Sequence, residues 1–82
     1  MIGFDTLHFF LYDSLGHSEF KVKINNDYEF DIPSIQQHLH LQYPDQSHKY
    51  ELCSINFKKT KKTIEIIFDK GDYDFINREY QL

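Results

Sequence analysis

Period-two alternation runs through most of this chain. Between Phe4 and Tyr12, Leu7, Phe9 and Leu11 fall on one side of an extended segment, and His8, Phe10 and Tyr12 fall on the other. Both sides are partly apolar, which predicts a strand in the middle of a sheet. Asp13, Ser14 and Gly16 carry turn chemistry, so residues 13–17 read as a turn. From Ser18 to Asn25, Phe20, Val22 and Ile24 alternate with Glu19, Lys21 and Lys23, the pattern of a half-buried strand. Asn25-Asn26-Asp27 reads as a tight turn, because Asn and Asp tolerate positive φ. Tyr28 to Asp31 then predicts a short third strand, with Tyr28 and Phe30 on one face.

The period changes after Asp31. Ile32, Ile35, Leu39 and Tyr43 recur at spacings of three and four and make one apolar stripe on a helix. Asp31 or Ser34 caps its start, Pro33 fits the first turn, and Pro44 stops it. Alternation returns from Tyr50 to Phe57, where Cys53, Ile55 and Phe57 share a face. Residues 58–62 form a loop. Thr63 to Asp69 is the return strand, with Ile64, Ile66 and Phe68 inward and Ile67 on the opposite side. In the tail, Tyr73 to Leu82, the alternation of Tyr73 and Phe75 favours strand-like or irregular structure over a short helix.

These elements predict an α+β fold, a single domain over residues 1–82. It is a small, mostly antiparallel β-sheet with one helix packed on one face, in ββ(β)-α-ββ order. One helix covers one face. His8, Phe10, Tyr12 and Ile67 then lie on the other, as an aromatic patch of the kind that marks interaction sites unless the tail covers them.

Composition sharpens this picture. Eight Phe and six Tyr let a chain of 82 residues fill a thin core, since rings bury the most area per residue. A hydrophobic fraction of 40% with three Gly and two Pro argues against disorder. Cys53 is the one cysteine and reads as a small buried hydrophobe in a reducing compartment. The start of the chain has no basic segment, and the apolar run Leu7 to Tyr12 is far too short to cross a bilayer. A cytoplasmic location without membrane attachment is the expectation.

Net charge is −4, unevenly spread. Residues 1–48 hold seven acids and two lysines, whereas residues 49–82 hold seven basic residues and six acids. Asp13, Asp27, Glu29, Asp31 and Asp45 lie in turns and at exposed strand positions, with Tyr12, Tyr28 and Tyr43 near them in sequence. Together they predict a partner-binding face of carboxylates around tyrosine anchors, steering a basic protein. The competing reading is a solvated acidic surface. Lys58, Lys59, Lys61 and Lys62 form the densest charge feature. They read as a hairpin loop kept soluble, or alternatively as a phosphate-contacting finger on nucleic acid. The acidic total disfavours the latter.

Catalytic and metal motifs are missing from the pattern. His38 and His40 are two apart and point to different sides of a helix, and His8, His17 and His48 fall in separate elements. No metal or cofactor is expected from these spacings. Glu29/Asp31 and Asp72/Asp74 are i, i+2 carboxylate pairs, read as polar strand positions or caps rather than an acid–base pair. No serine sits in Gly-x-Ser-x-Gly, and no glycine-rich phosphate loop occurs.

By size and charge the chain resembles the small single-domain inhibitors of bacteria and phages, namely toxin-neutralising immunity proteins and phage anti-defence proteins. That resemblance of type implies a non-enzymatic protein that binds and blocks a protein partner through an acidic, aromatic-rich surface. The alternatives are a nucleic-acid-binding module using the lysine loop and a small nuclease-like enzyme using His and carboxylates. A homodimer through a sheet edge or face is compatible with all three.

Overall fold

A computed structural model describes residues 3–71. Strands β1 (Thr6–Asp13) and β2 (Gly16–Lys23) form a hairpin, helix α1 spans Ile32–Gln42, and β3 (Glu51–Lys58) and β4 (Thr63–Asp69) form a second hairpin. The four strands make one mixed sheet in the order β2-β1-β4-β3. Both hairpins are antiparallel, and β1 and β4 join them as a parallel pair. The predicted α+β fold, with one helix and a mostly antiparallel sheet, is thus the observed one. The tail at 73–82, read as strand-like or irregular, lies outside the described residues.

The central position of β1 follows from its two apolar faces. Leu7, Phe9 and Leu11 are completely or almost completely buried, flanked in β4 by the equally buried Ile64, Ile66 and Phe68. Ile35 and Leu39 of α1, with Phe4, complete the core. Registers stack this inner face in three rows: Val22–Leu7–Ile64–Phe57, Phe20–Phe9–Ile66–Ile55 and Ser18–Leu11–Phe68–Leu52. In the middle row Phe9 stacks on Phe20 at 4.5 Å and on Phe68 at 6.2 Å. Burying each such ring contributes about 1.5–3 kcal/mol.

The helix starts as its sequence demands. Asp31 is the N-cap in extended backbone, and its side chain accepts the Ser34 amide at 2.9 Å. That amide, and the Ser34 hydroxyl, hold the Asp31 carboxyl below the usual range. Of the predicted stripe, Ile35 and Leu39 are buried and Tyr43 is half-buried, but Ile32 at the first turn is 41% exposed.

Three expectations fail. Residues 28–31 form no strand. Tyr28 N–H donates to Asn25 O, and Asp27 N–H donates to the Asn25 side chain, which closes a turn. The next residues then run straight into the helix cap, and Tyr28 and Phe30 pack on the core without pairing. In β3 the alternation slips: the register shifts between Leu52 and Ser54, so Leu52 rather than Cys53 joins Ile55 and Phe57 on the inner face. A bulge adds one residue to a strand and reverses the sidedness of what precedes it. For the same reason Cys53 is exposed instead of buried.

The second loop is also more ordered than its lysines suggest. Lys59–Lys61 form a 3-10 turn, and Lys62 takes the left-handed conformation at φ 53°. Its carbonyl accepts the Asp5 and Thr6 amides at 2.9 and 3.3 Å, which ties the loop to the start of β1.

Candidate interaction surface

The helix covers one face of the sheet. The registers that build the inner rows place the remaining side chains in four outer rows: Lys23–Thr6–Thr63–Lys58, Lys21–His8–Glu65–Asn56, Glu19–Phe10–Ile67–Ser54 and His17–Tyr12–Asp69–Glu51. Charge is graded along them. The first row carries two lysines, the second one lysine and one glutamate, the third a single glutamate, and the fourth an aspartate and a glutamate. With histidines neutral, the face runs from +2 through 0 and −1 to −2 along the strand axis. The exposed Lys59, Lys61 and Lys62 extend the basic end, and Asp13 extends the acidic one.

Aromatic and imidazole rings occupy the β1–β2 half of this face. His8 lies 4.2 Å from Phe10, centroid to centroid, and Tyr12 stacks on His17 at 5.0 Å. Glu19 clamps them, its Oε1 accepting from His8 Nε2 at 2.8 Å and its Oε2 from His17 Nε2 at 2.9 Å. Those hydrogen bonds, His17's first and then His8's, hold the Glu19 carboxyl below its usual range. The clamp fixes the two imidazoles beside the half-buried Phe10 and the exposed Tyr12.

At the other side of the acidic end, Cys53 Sγ donates to Asp69 Oδ2 at 2.9 Å. Desolvation, and then the adjoining carboxylate, push the thiol up to about 12. An exposed thiol held in its protonated form is a poor nucleophile at neutral pH.

The eight residues expected to bind a partner do not share one surface. Tyr12 belongs to the outer face, whereas Asp13, the next residue of β1, lies at the same end but off that face; its Oδ1 accepts the Leu15 and Gly16 amides at 2.8 and 3.1 Å and so shapes the hairpin turn. Tyr28 and Tyr43 lie on the helix side of the sheet. Tyr28 packs on His38 at 5.7 Å, and Tyr43 meets Phe20 edge-on at 5.9 Å. Burial, with the Asp31 carboxylate beside it, raises the Tyr28 hydroxyl's pKa. Asp27 and Glu29 are exposed on the connection before α1, Asp31 caps that helix, and Asp45 is exposed in the turn after it. The lysine loop does stay together: Lys58, Lys59, Lys61 and Lys62 are all exposed, and the hairpin register brings Lys23 to the same end.

His38 and His40 separate as their spacing predicts, whereas Glu19 brings His8 and His17 of different strands together. His38 is half-buried beside Phe9 and Tyr28, and that burial lowers its pKa. His40 is exposed, with its Nδ1 3.1 Å from Ser47 Oγ. It lines an open cleft of about 480 Å³ with Gln36, His48, Tyr50 and the buried Leu39 and Phe68 as floor. Among the described residues, no group of three or more His, Cys, Asp or Glu is arranged to hold a metal ion. The Glu29/Asp31 pair loses its shared strand face, because Asp31 is engaged as a cap.

Sequence reading missed the Glu19 clamp and the acidic row. His17, read as part of a turn over 13–17, is in β2, which starts at Gly16, and this is what puts it i, i+2 to Glu19 on one strand. Bringing His8 to them needs the register of the first hairpin. Setting Glu51 and Asp69 beside Tyr12 needs the parallel β1–β4 pairing, which no local pattern announces. No family model matches the chain, and no curated protein or solved structure matches it either.

Proposed function

We propose that this domain is a non-enzymatic binding protein that blocks a basic protein partner through the helix-free face of its sheet. One observation carries the reading: the outer face sets Tyr12, Phe10 and the clamped histidines beside an acidic end made of Glu19, Glu51 and Asp69. Tyrosine anchors with neighbouring carboxylates suit a partner whose own surface is built to hold an anion. The acidic residues then act in place of the partner's natural anionic ligand. Asp27, Glu29, Asp31 and Asp45 add long-range steering at most, and the neutral Tyr28 and Tyr43, on the helix side, have no part in this contact.

Affinity capture with the tagged protein and a Tyr12→Ala/Glu51→Lys variant tests this. A stoichiometric basic protein held by the parent, released by salt and absent from the variant's eluate is the expected result. Equal retention by both would place the contact elsewhere and overturn the reading.

A second reading, binding to a nucleic-acid backbone, is favoured by the gathering of Lys23 with Lys58, Lys59, Lys61 and Lys62 at one end of the sheet. It predicts binding to single- or double-stranded nucleic acid at low salt that weakens steeply as salt rises. A flat titration at low salt removes it.

A further inference from the structure

The two edges of the sheet differ. The β3 edge is broken by the bulge between Leu52 and Ser54, a device that discourages pairing with another strand. The β2 edge runs without a break through the whole register from Gly16 to Lys23. Ile24 N–H donates to Asp5 O at 3.0 Å, and bonding direction alternates along an antiparallel strand. Ser18, Phe20 and Val22 therefore turn their backbone groups toward β1. His17, Glu19, Lys21 and Lys23 turn theirs outward, and among the described residues none of these backbone groups bonds outside the sheet.

We propose that the free β2 edge pairs with the β2 edge of a second copy of this chain, antiparallel and two-fold symmetric, with Phe20 on the axis. The register follows from bonding and charge. Outward-facing groups must oppose outward-facing groups, so His17, Glu19, Lys21 and Lys23 of one copy meet members of the same set on the other. A centre at Lys21 sets lysine against lysine, and a centre at Glu19 sets glutamate against glutamate. Like charges directly opposite one another destabilise a pair of strands. A centre at Phe20 sets Glu19 of each copy against Lys21 of the other and His17 against Lys23. It also brings the two half-buried Phe20 rings together at the seam, extending the stack they already make on Phe9. The result is one continuous sheet of twice the width, with both outer faces on the same side. The backbone edge is distinct from the outer face, but Glu19 and His17 lend side chains to both, so Lys21→Glu, which leaves the Glu19 hydrogen bonds in place, is the variant that separates this proposal from the binding reading.

Sedimentation equilibrium over micromolar to millimolar concentrations, with residue-resolved amide exchange, tests it. The parent protein is expected to dimerise, with the His17, Glu19, Lys21 and Lys23 amides slowing as concentration rises while those of Ser18, Phe20 and Val22 are slow throughout. Lys21→Glu and Glu19→Lys, each checked for folding by circular dichroism, are each expected to weaken self-association at least tenfold. Mixing the two restores opposite charges at both contacts and should yield a heterodimer. A parent that stays monomeric to millimolar concentration overturns the proposal. So does a dimer whose edge amides remain fast, or a mixture of the two variants that forms no heterodimer. Slowing of the edge amides only when an extended peptide is added would assign the edge to a different partner and equally overturn it.

Discussion

The two faces of this sheet are built from the same four strands and obey opposite rules. On the inner face, size is what matters. Phe9, Ile66 and Leu11 are packed on all sides, and their neighbours have no water to fill a gap. On the outer face, charge and orientation matter. His8, Phe10 and Tyr12 are held by a carboxylate and by one another, His8 and Phe10 half-buried and Tyr12 exposed. Close packing is therefore concentrated on one side and charged and imidazole groups on the other, and adjacent residues of β1 sit in different surroundings.

Substitution at neighbouring positions separates the two most sharply. Phe9→Ala should cost about 3–5 kcal/mol, enough to unfold most molecules of a domain this small. Phe10→Ala, one residue away, should cost about 1 kcal/mol or less. Urea denaturation of both variants measures the gap, and equal costs would mean that the outer face is covered.

Helix capping gives the next effect. Asp31→Ala leaves the Ser34 amide without its acceptor and should lower the melting temperature by several degrees. The Asp31 and Glu19 carboxyls are both held below their ordinary values of 3.8 and 4.5 in the fold. Each therefore contributes its stabilisation in full above those values, and loses it as pH falls through the depressed folded-state pKa. Acid titration should show stability falling below about pH 4.5, with the Asp31→Ala/Glu19→Gln double variant showing a shallower decline.

The smallest effect is chemical. Cys53, held near 12, should react with iodoacetamide at pH 8.5 far more slowly than a free cysteine. Asp69→Asn removes the charge that helps hold the proton and should speed alkylation. Unchanged kinetics would show that desolvation alone controls the thiol.

Much of this fold could be read from local patterns because most of its elements are locally determined. The alternation of Leu7, Phe9 and Leu11, the cap at Asp31 and the inward set of Ile64, Ile66 and Phe68 each need only neighbouring residues. The failures share one cause, since each depended on geometry that neighbours do not set. Tyr28 and Phe30 alternate like a strand, but Asn25 closes a turn and the helix cap follows directly, leaving no length to pair. The bulge at Cys53 changes which side a residue faces without any Gly or Pro to announce it. The expected binding face failed to assemble for the same reason, because closeness in sequence put Tyr12 and Tyr28 together while the sheet separates them. The acidic row at Tyr12 comes from Glu51 and Asp69, which only the parallel seam brings near.

That seam also governs how the chain reaches its structure. Each hairpin is local, but two strands alone are marginal in water. The pairing of Thr6 with Thr63 joins segments separated by most of the chain, and such contacts slow folding because a long loop must close first. On the ribosome the first hairpin and the helix must therefore wait, with Leu7, Phe9 and Leu11 unsheltered, until β4 has left the exit tunnel. The chain is most open to chaperone capture or aggregation during that interval, and the whole sheet then closes in one late step.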